Sequence, residues 1–438
     1  MKLTVFQSDK GDCLLLTSQD GCHMLIDGGM RSSYKAFVAP TLGELAAAGK
    51  ALDLVYVSHI DQDHIAGVLQ LMDDLVAWKV HDFQVNHGNP THPAPAMPRP
   101  PKIKAIWHNA FHEMLGDNAG PIGDLLAASS AILSGADVED LREAATQQRE
   151  LATSIPEAIT LSRRVGAQQL DIPLNGHFGG KLAFVRETKP APPPIAIGGL
   201  NLFVIGPFEA DLQKLRTIWD KWLGKNQEEL EKIRKQAQRD AERLGTSDVQ
   251  ALLQAQLNQA KELGKRSEVT APNLASLMLL VEEGNRKLLL TGDGHSDDIL
   301  KGLKFHKKLD AQGRLHVDVL KVQHHGAVSN LDKAFAAKVT ADHYVFCGNG
   351  EHENPELEVI RAIVEARTGS AAVPADHPAA AGPFKLWFNS SKSATKKSEA
   401  QHMQKVQVLV AQLAAGSGGR MSASFLEGDQ PFLELLLP

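Results

Sequence analysis

LDLVYVSHIDQDHIAG, residues 52–67, is a nearly continuous apolar run followed at once by two histidines and two aspartates. The run LDLVYVS (52–58) has the character of a strand buried on both faces. It delivers the chain into His59, Asp61, Asp63 and His64, four ligand-type side chains within six residues. Strand ends at sheet edges are where open α/β folds build their sites. Two imidazoles and two carboxylates crowded on one loop strain against each other unless cations lie among them, so the stretch reads as a metal-binding loop. A helix is expected directly after it, at IAGVLQLMDDLVA.

Working outward, the same strand-then-ligand pattern recurs. LTVF (3–6), CLLLT (13–17) and HMLID (23–27) read as strands with tight turns, the last ending at Asp27-Gly28-Gly29. A helix is expected over about 36–49. SLMLLVEE (276–283) and KLLLT (287–291) precede Gly292-Asp293, and VDVLKV (317–322) precedes His324-His325-Gly326. HYVFC (343–347) leads to His352 in GNGEHENPE, with a helix at 355–367. A single acid or imidazole at a strand end is unremarkable. Four such exits in one chain point to a shared site.

Between and beyond these blocks the pattern changes. KLAFV (181–185) and NLFVI (201–205) read as strands, and residues 87–104 and 189–194 as proline-rich loops. Residues 110–168 read as mostly helical. From 208 to 266 Glu, Lys, Gln, Arg and Ala dominate, with i,i+4 pairs such as Glu228–Lys232. This is expected to be a solvated helical hairpin, with a substrate lid or partner-binding arm as the sharper alternative. The expected organisation is a core in two halves, 1–109 and 269–368. A mainly helical insertion, 110–268, carries some core strands within 181–205. A C-terminal extension, 369–438, is irregular in part and ends in edge strands at SASFL (422–426) and PFLELLL (431–437).

HIDQDH followed by Ile65-Ala66-Gly67 resembles the HxHxDH motif of the metallo-β-lactamase superfamily, with Asp61 in place of the second histidine. The other blocks resemble the hydrolase domain of the ComEC competence proteins and their stand-alone relatives. The matching residues are Gly11, Asp12, Asp27, Gly28 and Gly29 in the opening, Asn273, Ser276 and Asp293 in the middle, and LKVQHHG later. Asn354 stands where that pattern has a second histidine, leaving His352. The resemblance implies an α/β fold, a four-layer αββα sandwich with a large helical insertion. It also implies two divalent metal ions, Zn2+ or Mn2+, sharing a hydroxide that attacks the substrate.

Carried over by position, His59 and Asp61 would serve the first ion. Asp63, His64 and one of His324 and His325 would serve the second, with His324 taken as the ligand, and Asp293 would bridge. Asp63, His325 and His352 are the catalytic candidates, and His325, Asn273, Ser276 and His352 the substrate-binding ones. No histidine lies between His177 and His295, where relatives draw a third imidazole for the first ion. One imidazole with two carboxylates favours manganese over zinc and a more exchangeable ion.

Composition narrows the function classes. Of 438 residues, 43% are hydrophobic and 22% charged, as in a globular protein, and the net charge of −6 gives no global footprint for nucleic acid. Local basic candidates are Arg99, Lys102 and Lys104 on the proline-rich arm, and Lys304, Lys307 and Lys308. Three cysteines give no disulfide framework. With no apolar leader and no membrane-length run, the cytoplasm is the expected compartment, without membrane contact. The leading expectation is a phosphodiesterase or nuclease acting on DNA or RNA. The alternatives are a hydrolase of a small phosphodiester, lactone or cyclic nucleotide, and an effector subunit whose segment 208–266 binds a protein partner or a second copy and whose metal site is conditionally active.

Overall fold

Strand residues alternate between two sets of neighbours, and that alternation builds the molecule in layers. The computed structural model describes residues 1–109, 161, 164–166, 169–209, 276–369 and 378–437. One sheet has the order β14-β1-β2-β3-β4-β5. Its strands are β1 (Lys2–Phe6), β2 (Leu14–Thr17), β3 (His23–Ile26), β4 (Leu54–Tyr56), β5 (Ile106–Trp107) and β14 (Phe432–Leu436). The other has the order β13-β12-β11-β10-β9-β8-β7-β6. It comprises β6 (Ile195–Ile197), β7 (Leu200–Gly206), β8 (Met278–Glu283), β9 (Arg286–Leu290), β10 (Leu315–Lys321), β11 (Val339–Phe346), β12 (Phe384–Phe388) and β13 (Met421–Phe425).

In β2, Leu14 and Leu16 join the core between the sheets, while Leu15 joins the core on the outer face. In β8 and β9, Leu279, Val281, Leu288 and Leu290 face inward, and Leu280 and Leu289 face the other way. This is the two-residue period of a pleated strand with both faces covered. Helices cover the outsides. Val38 and Leu42 around α1 (Ala39–Ala47) and Ile65, Val68 and Met72 of α2 (Gln62–Asn86) pack on the six-stranded sheet. Ile299 and Leu303 of α3 (Ser296–Phe305), Phe335 of α4 (Lys333–Lys338), Ile360 and Ile363 of α5 (Leu357–Thr368) and Met403 and Val406 of α6 (Ala400–Gly416) pack on the eight-stranded one. The result is the expected αββα sandwich.

Several local expectations shift. KLAFV forms no strand. Asn109 takes its edge instead, with Nδ2 donating to Ala183 O and Oδ1 accepting from Ala183 N, each at 2.7 Å, and only a lone bridge joins Val185 to Phe208. Within the segment expected to be irregular after 369, FKLWF instead forms β12, held between β11 and β13 by its buried aromatic and aliphatic side chains. Helix α2 begins at Gln62, so Asp63 and His64 lie inside its first turn. The segments 110–160 and 210–275, with the expected hairpin and Asn273, lie outside the described residues.

Close backbone contacts bring the site loops together. Gly67 N donates to Gly29 O at 2.9 Å, and Gly28 N to His64 O at 2.8 Å. A Cβ on Gly67 would lie 1.9 Å from Gly28 O, and one on Gly11 would lie 1.7 Å from Asp63 O. Glycine is required at both positions for the turns after β1 and β3 to seat against the 59–64 loop. Among the described residues no helix is long and apolar enough to cross a membrane.

Candidate metal centre

Strand β4 in one sheet and the mutually parallel strands β9 and β10 in the other all end at one edge of the sandwich. Leu277 N donates to Ser58 O at 2.7 Å, so the exit of β4 is tied to the approach of β8 in the other sheet. His59, Asp61, Asp63 and His64 from the first sheet thereby meet Asp293, His324 and His325 from the second. Asp293 is the centre. The Nε2 atoms of His59, His64, His324 and His325 lie 3.5, 3.5, 3.7 and 3.8 Å from its carboxylate oxygens. Asp61 Oδ2 is 3.4 Å from His59 Nε2, and Asp63 Oδ2 is 3.0 Å from His325 Nε2 and 3.9 Å from His64 Nε2.

Each of the four rings is held from behind by its other nitrogen. His59 Nδ1 meets Ser58 Oγ at 3.1 Å, and that hydroxyl donates to Asp27 Oδ2 at 2.7 Å. His64 Nδ1 donates to Asp27 Oδ2 at 3.0 Å, and Asp27 Oδ1 also accepts from Ser58 N. His325 Nδ1 donates to Cys347 O at 2.6 Å, and His324 Nδ1 to Asn330 Oδ1 at 2.8 Å. Such outer contacts fix the tautomer and leave an Nε2 lone pair for a ligand. Asp27, one of the strand-end acids of the sequence, therefore orients two rings. Asp27→Asn is expected to weaken metal binding by roughly 10–100-fold, read by competition with a chromogenic chelator, with little change in far-ultraviolet circular dichroism.

The electrostatics suit cations. Burial disfavours imidazolium, yet Asp293, Asp63, Asp12 and Asp27 hold His64 well above its ordinary range, and Asp293, Asp12 and Asp63 bring His325 up to about 10. Burial would raise the carboxyls of Asp63 and Asp293, but the neighbouring rings hold both far below the usual range. Among the described residues, the buried atoms His59 Nε2, His64 Nε2 and Asp293 Oδ1 have no hydrogen-bond partner, and His59, His64 and Asp293 offer atoms all within 4.8 Å of one another. Orphaned buried donors and acceptors facing each other are costly, and a divalent cation satisfies all three. The residues fit a metal.

The remaining sequence candidates take other places. Ser276 Oγ accepts from Asp293 N at 2.9 Å and so fixes the backbone of the central acid. His352 lies on the rim, 77% exposed, with Nε2 3.6 Å from Glu351 Oε1. Glu351 also takes Lys10 Nζ at 2.9 Å, just before Gly11 and Asp12.

Two residues, Lys321 and His108, escaped the sequence reading, and a third, Asp12, entered it only as a matching position without a role. Asp12 and Lys321 form a buried ion pair beneath the cluster, with Asp12 Oδ1 3.3 Å from His325 Nδ1 and Lys321 Nζ donating to Gly292 O at 3.2 Å. Burial would raise Asp12, but Lys321 and the imidazoles of His64 and His325 draw it down to about 2. His108, directly after β5, is fully buried, neither ring nitrogen is hydrogen-bonded to any of the described residues, and burial with His59 nearby lowers it to about 3. Its signal was available: IWH is again an apolar strand ending at an imidazole.

The fold is that of a metallo-β-lactamase sandwich, with a candidate metal site at one edge. Residues 9–121 match the family model of the metallo-beta-lactamase superfamily, which takes in the Asp12, Asp27 and 59–64 loops. No curated protein matches the chain.

Proposed function

We propose that the protein is a two-metal phosphodiesterase whose substrates are nucleic acids. The observation that carries it is the convergence of four braced imidazoles on Asp293 from both sheets. His59 and Asp61 would hold the first ion, Asp63, His64 and His325 the second, and Asp293 would contribute to both. His325 takes the place first given to His324, because its buried Nε2 is 3.0 Å from Asp63. When bound, the ions supply hydroxide at neutral pH and polarise the scissile phosphoryl oxygen. Asp27, Ser58, Ser276 and Cys347 O keep the ligands in register. Lys10 and His352, on the rim, are the side chains available to neutralise or protonate the departing oxygen.

The choice of a phosphodiester rests on the ComEC resemblance. The basic groove lined by Lys304, Lys307 and Lys338 lies at the opposite edge of the eight-stranded sheet, beside the starts of β10 and β11, and Lys301 on its wall is paired with Glu187. A smaller phosphodiester is the second reading, favoured by neutralisation elsewhere: Arg99 pairs with Asp82, Lys104 with Asp53 and Lys308 with Glu282. Protein reloaded with Mn2+ or Zn2+ is expected to cleave single-stranded DNA or RNA as well as bis-p-nitrophenyl phosphate. Cleavage of the small ester alone would favour the second reading, and hydrolysis of neither would remove the phosphodiesterase assignment.

A further inference from the structure

We propose that the two consecutive histidines of the HHG turn serve different ions, His325 the second and His324 the first. His324 would thus supply the imidazole that the chain lacks between His177 and His295. The inference rests on the two-ion reading above and assigns the first ion a donor set of His59, His324, Asp61 and Asp293.

Four observations carry it. First, His324 Nε2 and His59 Nε2 lie 3.7 and 3.5 Å from Asp293 Oδ2, which His325 Nε2 also approaches at 3.8 Å, and His59 Nε2 is 3.4 Å from Asp61 Oδ2. Donors bound at 2.0–2.2 Å to a tetrahedral ion stand roughly 3.4 Å apart, close to these separations, and binding would draw His324 and Asp61 in toward the trio His59, His64 and Asp293, which already lies within 4.8 Å. Second, His324 is braced as the other three rings are, through Nδ1. Asn330 Oδ1 accepts that proton at 2.8 Å while Asn330 Nδ2 donates to Asp293 O at 2.9 Å, which fixes the amide orientation and ties the ring to the acid it faces. Ser296 Oγ, donating to Asn330 O at 2.6 Å, anchors the clamp to the start of α3.

Third, both histidines hold left-handed backbone, His324 at φ 43° and His325 at φ 56°. Two successive residues in this disfavoured region are held there by surrounding structure, and the turn lets neighbouring side chains reach one carboxylate. Fourth, exposure rises toward one side of the cluster. His59, His64 and His325 are buried, whereas His324 and Asp61 are 42% and 37% exposed in their side chains. The first ion would then face solvent and keep a position open for substrate.

The experiment is calorimetric titration of chelator-stripped protein with Co2+, with the visible absorption of cobalt as a second readout. Wild type is expected to take two ions. His324→Ala and His324→Gln are expected to keep one site unchanged and weaken the other at least a hundredfold. Asn330→Ala should weaken the same site roughly 10–100-fold, because its role is to orient the ring. His108→Ala should leave both sites as they are. Two unchanged sites in both His324 variants would overturn the inference while leaving the two-ion reading intact, as would loss of a site in His108→Ala instead. Fewer than two ions in wild type would overturn the two-ion reading and this inference together.

Discussion

Asp293→Asn is expected to lower hydrolysis of bis-p-nitrophenyl phosphate by roughly a thousandfold, about 4 kcal/mol of transition-state stabilisation, and to strip at least one ion from the protein. The change is nearly isosteric, so packing is preserved and charge is the variable. Among the described residues, Asp293 alone lies within 3.8 Å of all four imidazole Nε2 atoms, and it is the acid that reaches both halves of the cluster. An amide has one oxygen to offer and no negative charge, so it can serve one ion weakly and cannot span two. Metal content after gel filtration, turnover and circular dichroism together give the answer. A variant that keeps two ions and turns over within tenfold of wild type would remove Asp293 from the centre and the proposed mechanism with it.

The site was legible in the sequence to the extent that its ligands end apolar strands. LVY, RKLLL and LHVDVLK each stop at the same sheet edge, so the acids and imidazoles after them had to converge. What the pattern could not tell was which of His324 and His325 faces which partner. Strand alternation would send neighbours to opposite sides, and the left-handed turn after β10 cancels that rule. Asn330 was equally invisible, since its contacts depend on the turn being folded. His108 was overlooked because β5 is two residues long, too short to show periodicity. The lost KLAFV strand and the missed FKLWF strand fail for one reason, that pairing is decided by neighbours. Asn109 occupies the first edge, and β11 and β13 flank the second.

Long-range charge was hidden most completely, and it carries the second large effect. Lys321→Met is expected to destabilise the metal-free protein by roughly 3–5 kcal/mol in urea unfolding, because it leaves Asp12 buried without its cation. Lysine at the end of LHVDVLK looks like an ordinary strand terminus, and Asp12 looks like a turn residue. In the fold both are about 2% exposed and paired with each other. Asp12→Asn should cost comparably by stranding the ammonium, which would keep only Gly292 O and the distant edge of Asp293. The double variant should regain on the order of 2 kcal/mol relative to the sum of the singles, since neither charge is then orphaned. The acid limb has a defined sign. Asp12 is depressed to about 2 in the folded chain, so its contribution is present above pH ~4, the ordinary aspartate range, and is lost as pH falls through about 2. Methionine at 321 should remove the charge partner that depresses Asp12 most and shift that loss to higher pH. Single variants that unfold at the wild-type urea midpoint, with an unmoved acid limb, would mean that the pair beneath the metal ligands contributes nothing to holding them.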